Sequence, residues 1–131
     1  MAQPIRDLWP DIEQSQVVPP VAILREQAAL LGKKTNHLLE GRVATTNTGY
    51  GAFVHSFYIV APTLDDYEYK LFQIEHGVNL YPVDTNGEPP RYSKAVLASE
   101  QDLLDYIRRI LNSDDTKRVI GSLLAQIHAT S

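Results

Sequence analysis

The 131 residues carry a formal net charge of −4, are 44% hydrophobic and 21% charged, and include no cysteine. That balance excludes a disordered or fibrous chain and suits one domain with its own core. The missing cysteine excludes disulfides, thiolate metal sites and cysteine nucleophiles, and the acidic charge gives no footprint for a polyanion. The opening MAQPIRDLWPDIEQSQ lacks the basic start and apolar stretch of a signal peptide, and no later segment approaches a membrane span, so a cytoplasmic protein without a membrane is expected.

Residues 1–18 place Ile5, Leu8 and Trp9 among prolines and polar residues, too few for a core. They are read as an arm that docks Trp9 on the body or on a partner, ahead of a single domain over 19–131. Pro19 and Pro20 suit a first helical turn, where a missing N–H costs nothing. The helix that follows has a stripe of Val21, Leu24, Ala28 and Leu31, with Arg25 and Glu26 facing away. Gly32, Lys33 and Lys34 look like its C-terminal stop.

A first strand is expected over 37–46, with a turn at Asn47-Thr48-Gly49-Tyr50-Gly51. The next strand, 52–61, alternates yet is apolar on both sides: Phe53, Phe57 and Ile59 share one face, and Val54, Tyr58 and Val60 the other. A sheet with one wet face reads more cleanly, so this pattern predicts a cover for each side, from helices, a second copy or a ligand. After a turn at 62–66, a third strand runs over 67–76, with a bulge or tight turn expected at Gly77. Residues 78–83 are expected to continue as strand, at an edge or a strand end because of Pro82.

Residues 84–92 read as a surface loop, since Pro89 and Pro90 interrupt any pairing beyond Asn86-Gly87. Residues 94–98 form a short last strand, and Ser99 caps a helix with an acidic first turn. Leu103, Leu104, Ile107, Ile110 and Leu111 are the stripe of that helix. Residues 112–115 break and recap the chain, and Val119, Ile120, Leu123, Leu124 and Ile127 are the stripe of a third helix. The predicted fold is therefore α+β: one N-terminal helix, a mainly antiparallel sheet of three to five strands, and two C-terminal helices packed on it.

Chemistry is thinly represented. The four histidines, His37, His55, His76 and His128, are scattered without the spacing of a metal site. His55 and His76 lie on consecutive strands and can approach each other. Glu75 should point to the opposite face from His76 unless the strand is distorted at Gly77. Ordinary hydrogen-bonded strand histidines account for the pair without catalysis or zinc.

Asp65-Asp66 and Asp114-Asp115 are explained by turn and helix-start preferences. NTGYG lacks the lysine and hydroxyl of a phosphate loop, and no nucleophile elbow surrounds Ser56. Arg108, Arg109, Lys117 and Arg118 alternate with Asp102, Asp105, Asp114 and Asp115, the pattern of a solvated, salt-bridged face. A helix, three strands and a helix also make up a double-stranded-RNA-binding domain. Here, however, Ser99-Glu100-Gln101-Asp102 is acidic where that module is basic, and no family is assigned.

The tyrosines of the strand region suit an interface or the sheet itself. The expected function is a non-catalytic binding or assembly module, as a homodimer or with a protein partner, and without catalytic, cofactor or metal residues. Its candidate interface or pocket residues are Trp9, His55, Tyr58, Tyr69, His76 and Tyr81. The alternative is a small-molecule receptor or enzyme with a pocket between sheet and helices. RNA binding is a third and weaker reading, since it needs a contiguous basic face.

Overall fold

Pro20 occupies the first turn of α1 (Pro20–Lys34), where its fixed backbone angle is already helical. Leu24 and Ala28 of the expected stripe are buried, Ile23 joins them, and Val21 and Leu31 are half-buried. The helix ends at Lys34, within the expected Gly32-Lys33-Lys34 stop, with Asn36 and His37 beyond it in the left-handed region (φ 51° and 62°). The His37 N–H returns to the Gly32 carbonyl (2.8 Å), and Thr35 ties the exit by accepting from the Leu39 N–H and donating to the Leu31 carbonyl. A Cβ at Gly32 would meet the end of the Glu40 side chain, which is partly exposed and can move aside. Residues 37–39 belong to this exit, and the first strand starts only at Glu40.

The computed structural model describes residues 5–85 and 94–130. After α1 come β1 (Glu40–Asn47), β2 (Phe53–Ala61), β3 (Tyr67–His76), β4 (Val83–Asp84), β5 (Val96–Leu97), α2 (Glu100–Leu111) and α3 (Asp114–Thr130). The five strands form one antiparallel sheet in the order β1-β2-β3-β4-β5. The α+β architecture is thus the one expected from the sequence.

Gly49 and Gly51 take positive φ in the β1–β2 turn, and a short 3-10 turn at Pro62–Leu64 leads into Asp65 and Asp66, both left-handed. That conformation accounts for the paired aspartates as turn residues.

Two expectations about β3 are corrected. The bulge lies not at Gly77 but at Leu71, because Phe57 pairs with Phe72 while Tyr58 pairs with Lys70. The extra residue turns the consecutive Leu71 and Phe72 both toward the core, where neither is more than 1% exposed. Residues 77–82 are not strand but a bent connection with a cis Tyr81–Pro82 bond. In the expected 84–92 loop, Asp84 lies in β4 and Thr85 is buried; the remainder, 86–92, lies outside the described residues.

The helices lie on one side of the sheet. Val43, Phe57 and Phe72 form one cross-strand row of that side, and Gly41, Ile59 and Tyr69 another. Phe57 stacks on Phe72 (centroids 5.4 Å apart), and Phe72 meets Tyr106 of α2 edge-on (6.3 Å). Leu103, Ile107 and Ile110 complete the buried face of α2, and Val119 and Ile127 anchor α3. Ile120, Leu123 and Leu124 stay half-buried. Ser99 caps α2 by accepting from the Asp102 N–H (3.2 Å), and Ser113 does the same for α3 from Thr116 (3.2 Å).

The other side carries Arg42, Val54, Ser56, Tyr58, Val60, Glu68, Lys70 and Gln73, none of which belongs to the core cluster.

Gly41 is where α1 sits on β1, and a Cβ there would overlap the Ala28 backbone. Gly41→Ala is expected to lose roughly 1–3 kcal/mol of stability by overpacking. Gly121, exposed in α3 with open space around its Cα, is the control. Gly121→Ala should instead add about 0.5–1 kcal/mol through helix propensity. Urea denaturation of both variants checks the opposite signs.

Candidate functional site

Two places gather side chains that sequence reasoning singled out or missed. The first is the histidine pair. His55 is directly opposite Ile74 and His76 opposite Phe53, so the two histidines are diagonal neighbours across β2 and β3. Their Nε2 atoms are 2.8 Å apart, with ring centroids 4.9 Å apart and planes inclined 29°. Both are buried, and the Phe53 ring lies 5.6 Å from that of His76.

Partners at the far ends fix the protons. The Gly77 carbonyl can only accept, so His76 Nδ1–H donates to it (2.7 Å). With both rings neutral, His76 Nε2 then accepts from His55 Nε2–H, and His55 Nδ1 accepts from the Thr45 hydroxyl (2.8 Å). Burial first, then the neighbouring His76 and Arg25, lowers the His55 pKa to about 4. Two facing N–H groups cannot share one hydrogen bond, so only one of the two Nε2 atoms carries a hydrogen.

The series Thr45–His55–His76 has the connectivity of a nucleophile, a base and an orienting group. Its chemistry is weak, because a ring with a pKa near 4 is a poor general base at neutral pH. The depression beside His76 is lined by Glu75, Gly77 and Tyr81 rather than by Thr45. Glu75 pairs with Val54 and Asp84 and so belongs to the opposite face from His76, as strand alternation requires. Among the described residues no group of three or more His, Cys, Asp or Glu side chains is placed to hold a metal ion.

The tyrosines do not converge on this pair. Tyr58 is on the other face, 4.3 Å beneath the Arg42 guanidinium, which also forms a two-pronged pair with Glu68 (2.8 Å each). That bond lowers the Glu68 pKa and raises that of Arg42. Tyr69 packs on the helix side opposite Ile59. Tyr81 donates to the Val18 carbonyl (3.1 Å), and burial followed by Glu100 raises its pKa. Trp9 does not dock on the body: it is 79% exposed, and every described residue of the arm up to Val18 is exposed. Arg108 and Arg118 pair with Asp105 and Asp115 (3.3 Å each), as a salt-bridged face predicts.

The second place lies between sheet and helices, where the alternative reading put a pocket, but it is lined by none of the residues singled out for it. Between the C-terminal half of α1 and the α2–α3 junction is a cleft of about 300 Å³. Its floor is the core itself, Phe57, Ile59 and Leu71; Leu30 and Leu31 form one wall, Leu111 and Ile120 the other. Lys34 stands at the α1 side. This volume is at the small end of ligand sites, roughly 300–1,000 Å³, and suits one or two bulky apolar side chains. The signal for it was the surplus of apolar residues on the helix stripes, more than one sheet face needs.

No family model, curated protein or solved structure matches this chain. No helix among the described residues is long and apolar enough to cross a membrane.

The histidine pair predicts an acid response. The unfolded chain protonates His55 near its ordinary value of 6.5, the folded protein only near 4. Between those values the unfolded state binds more protons, so stability is full above the ordinary value and falls as the pH drops toward the lower one. The loss from this group is at most about 3 kcal/mol. Urea midpoints at about pH 7 and about pH 4.5 should fall further for the native chain than for His55→Gln. Equal losses would mean that another group titrates.

Proposed function

We propose that this chain is a non-catalytic binding or assembly module whose cleft between α1 and α3 receives apolar side chains of a protein partner. The observation that carries this reading is a cleft floored by the hydrophobic core and left open at its rim, where Leu30 is 38% exposed. A monomer gains nothing from an open groove over its own core. A partner's apolar side chain placed there removes its own surface and that of the walls, Leu30, Leu31, Leu111 and Ile120, from water, at roughly 25 cal/mol per Å². The rival reading, a pocket built from His55, Tyr58, Tyr69 and His76, has less support. Tyr58 and the histidines lie on opposite faces, and the only converging pair is satisfied by Thr45 and Gly77.

The cleft is tested with an apolar fluorescent dye, anilinonaphthalene sulfonate, added to dilute folded protein. Its emission should rise while the near-ultraviolet circular dichroism stays native, and Leu30→Glu should abolish most of the rise. A native protein that leaves the dye dark, or a Leu30→Glu variant that lights it equally, removes the cleft as a binding site.

A further inference from the structure

Building on the binding reading, we propose that the cleft's occupant is the N-terminal arm of a second copy of this chain, exchanged reciprocally so that each copy's Trp9 segment lies between α1 and α3 of the other. The arm has the composition for it. Ile5, Leu8, Trp9 and Ile12 are between 78% and 98% exposed, four large apolar side chains within eight residues and without contacts that hide them from water. The arm is left wet, and so in part are the walls of the cleft, where Leu30 is exposed and Leu31, Leu111 and Ile120 are half-buried; one association covers both.

Charge adds direction. The arm carries Asp7, Asp11 and Glu13 against Arg6, a local excess of negative charge. Lys34 borders the cleft, and Lys33 precedes it in the last turn of α1; it is these two side chains, not the partly negative end of the helix, that supply positive charge. An acidic arm laid across that rim meets opposite charge.

The exit of the arm favours a second copy over the chain's own cleft. Tyr81 holds the Val18 carbonyl, and Ser15 and Val17 line a depression with Val78, Asn79 and Leu80, so the arm leaves past the β3–β4 connection. The cleft begins at Gln27 and extends to Lys34, the far half of α1, on the order of 15 Å along the helix from Pro20. To enter its own cleft the arm must turn back along α1, away from the β3–β4 connection that these contacts hold it against.

Reciprocal exchange is self-complementary, as a two-fold dimer requires. Each cleft takes one or two of these side chains, Trp9 the largest, so the two arms together bury on the order of 500 Å² of apolar side chain, the scale of a weak, concentration-dependent interface.

Trp9 is the only tryptophan, so its fluorescence reports the arm alone. Its emission is followed with increasing concentration of the full chain, alongside mass from sedimentation. The expected result is a shift to the blue that rises in step with a doubling of mass. Leu30→Glu and the surface variant Lys34→Glu should each weaken the association by roughly tenfold or more. Blue emission at every concentration on a monomeric mass overturns the proposal in favour of the chain's own cleft. Doubling of mass with Trp9 still in water overturns arm exchange while leaving assembly in place. A monomer with exposed Trp9 at the highest concentration overturns it too, and dye binding by that monomer then leaves the cleft to a different protein.

Discussion

Ala28 of α1 rests on Gly41 of β1, and the layout of the helical layer follows from that contact. With no side chain between them, the helix comes down over the first strand and covers chiefly β1. It cannot also roof the β2–β3 centre of the sheet. Tyr106 of α2 reaches Phe72 from the opposite side, and the Asn112–Ser113 break turns α3 back toward the core through Val119 and Ile127. Phe57, Ile59 and Leu71 lie under the gap that remains. The cleft is therefore a consequence of how tightly one helix is seated.

The uncovered side of the sheet shows how a strand can look apolar on both faces without a second layer of helices. Val54, Tyr58 and Val60 are only half-buried, and their neighbours on β1 and β3 provide the shielding. The Arg42 guanidinium covers the Tyr58 ring, Glu68 holds the guanidinium from β3, and Lys70 bonds Gln73. Long charged side chains lie with their stems along apolar surface and their heads in water. Single-residue periodicity does not distinguish such a cover from a packed helix, which is why the two-faced pattern suggested an additional partner for this side.

The elements themselves were legible because their signals are local. Pro20 starts α1, Ser99 starts α2, and glycines turn β1 into β2. Departures occurred where space rather than local preference decided. Gly77 looks like a bulge or a tight turn, while the extra residue of β3 is Leu71, which with Phe72 gives the core two adjacent large side chains. The approach of His55 to His76 was readable from neighbouring strands. Thr45 was not, since naming it requires the β1–β2 register. The surplus apolar stripes signalled that some apolar surface would be left over, but where the cleft opens depends on how three helices sit relative to one another, which no single stripe contains.

The chain of hydrogen bonds Thr45–His55–His76–Gly77 crosses three strands on the helix side of the sheet. Every link has a direction, because a carbonyl at one end can only accept. Sliding β2 by one residue would carry His55 to the open face, leave His76 facing apolar side chains, and put Ser56 where no imidazole waits. Hydrophobic contacts tolerate such a slip poorly but without discrimination, since Val and Ile fit either face. The imidazole pair works as a key for strand alignment: it admits one pairing of β1, β2 and β3 and penalises the neighbouring ones with unmatched polar groups.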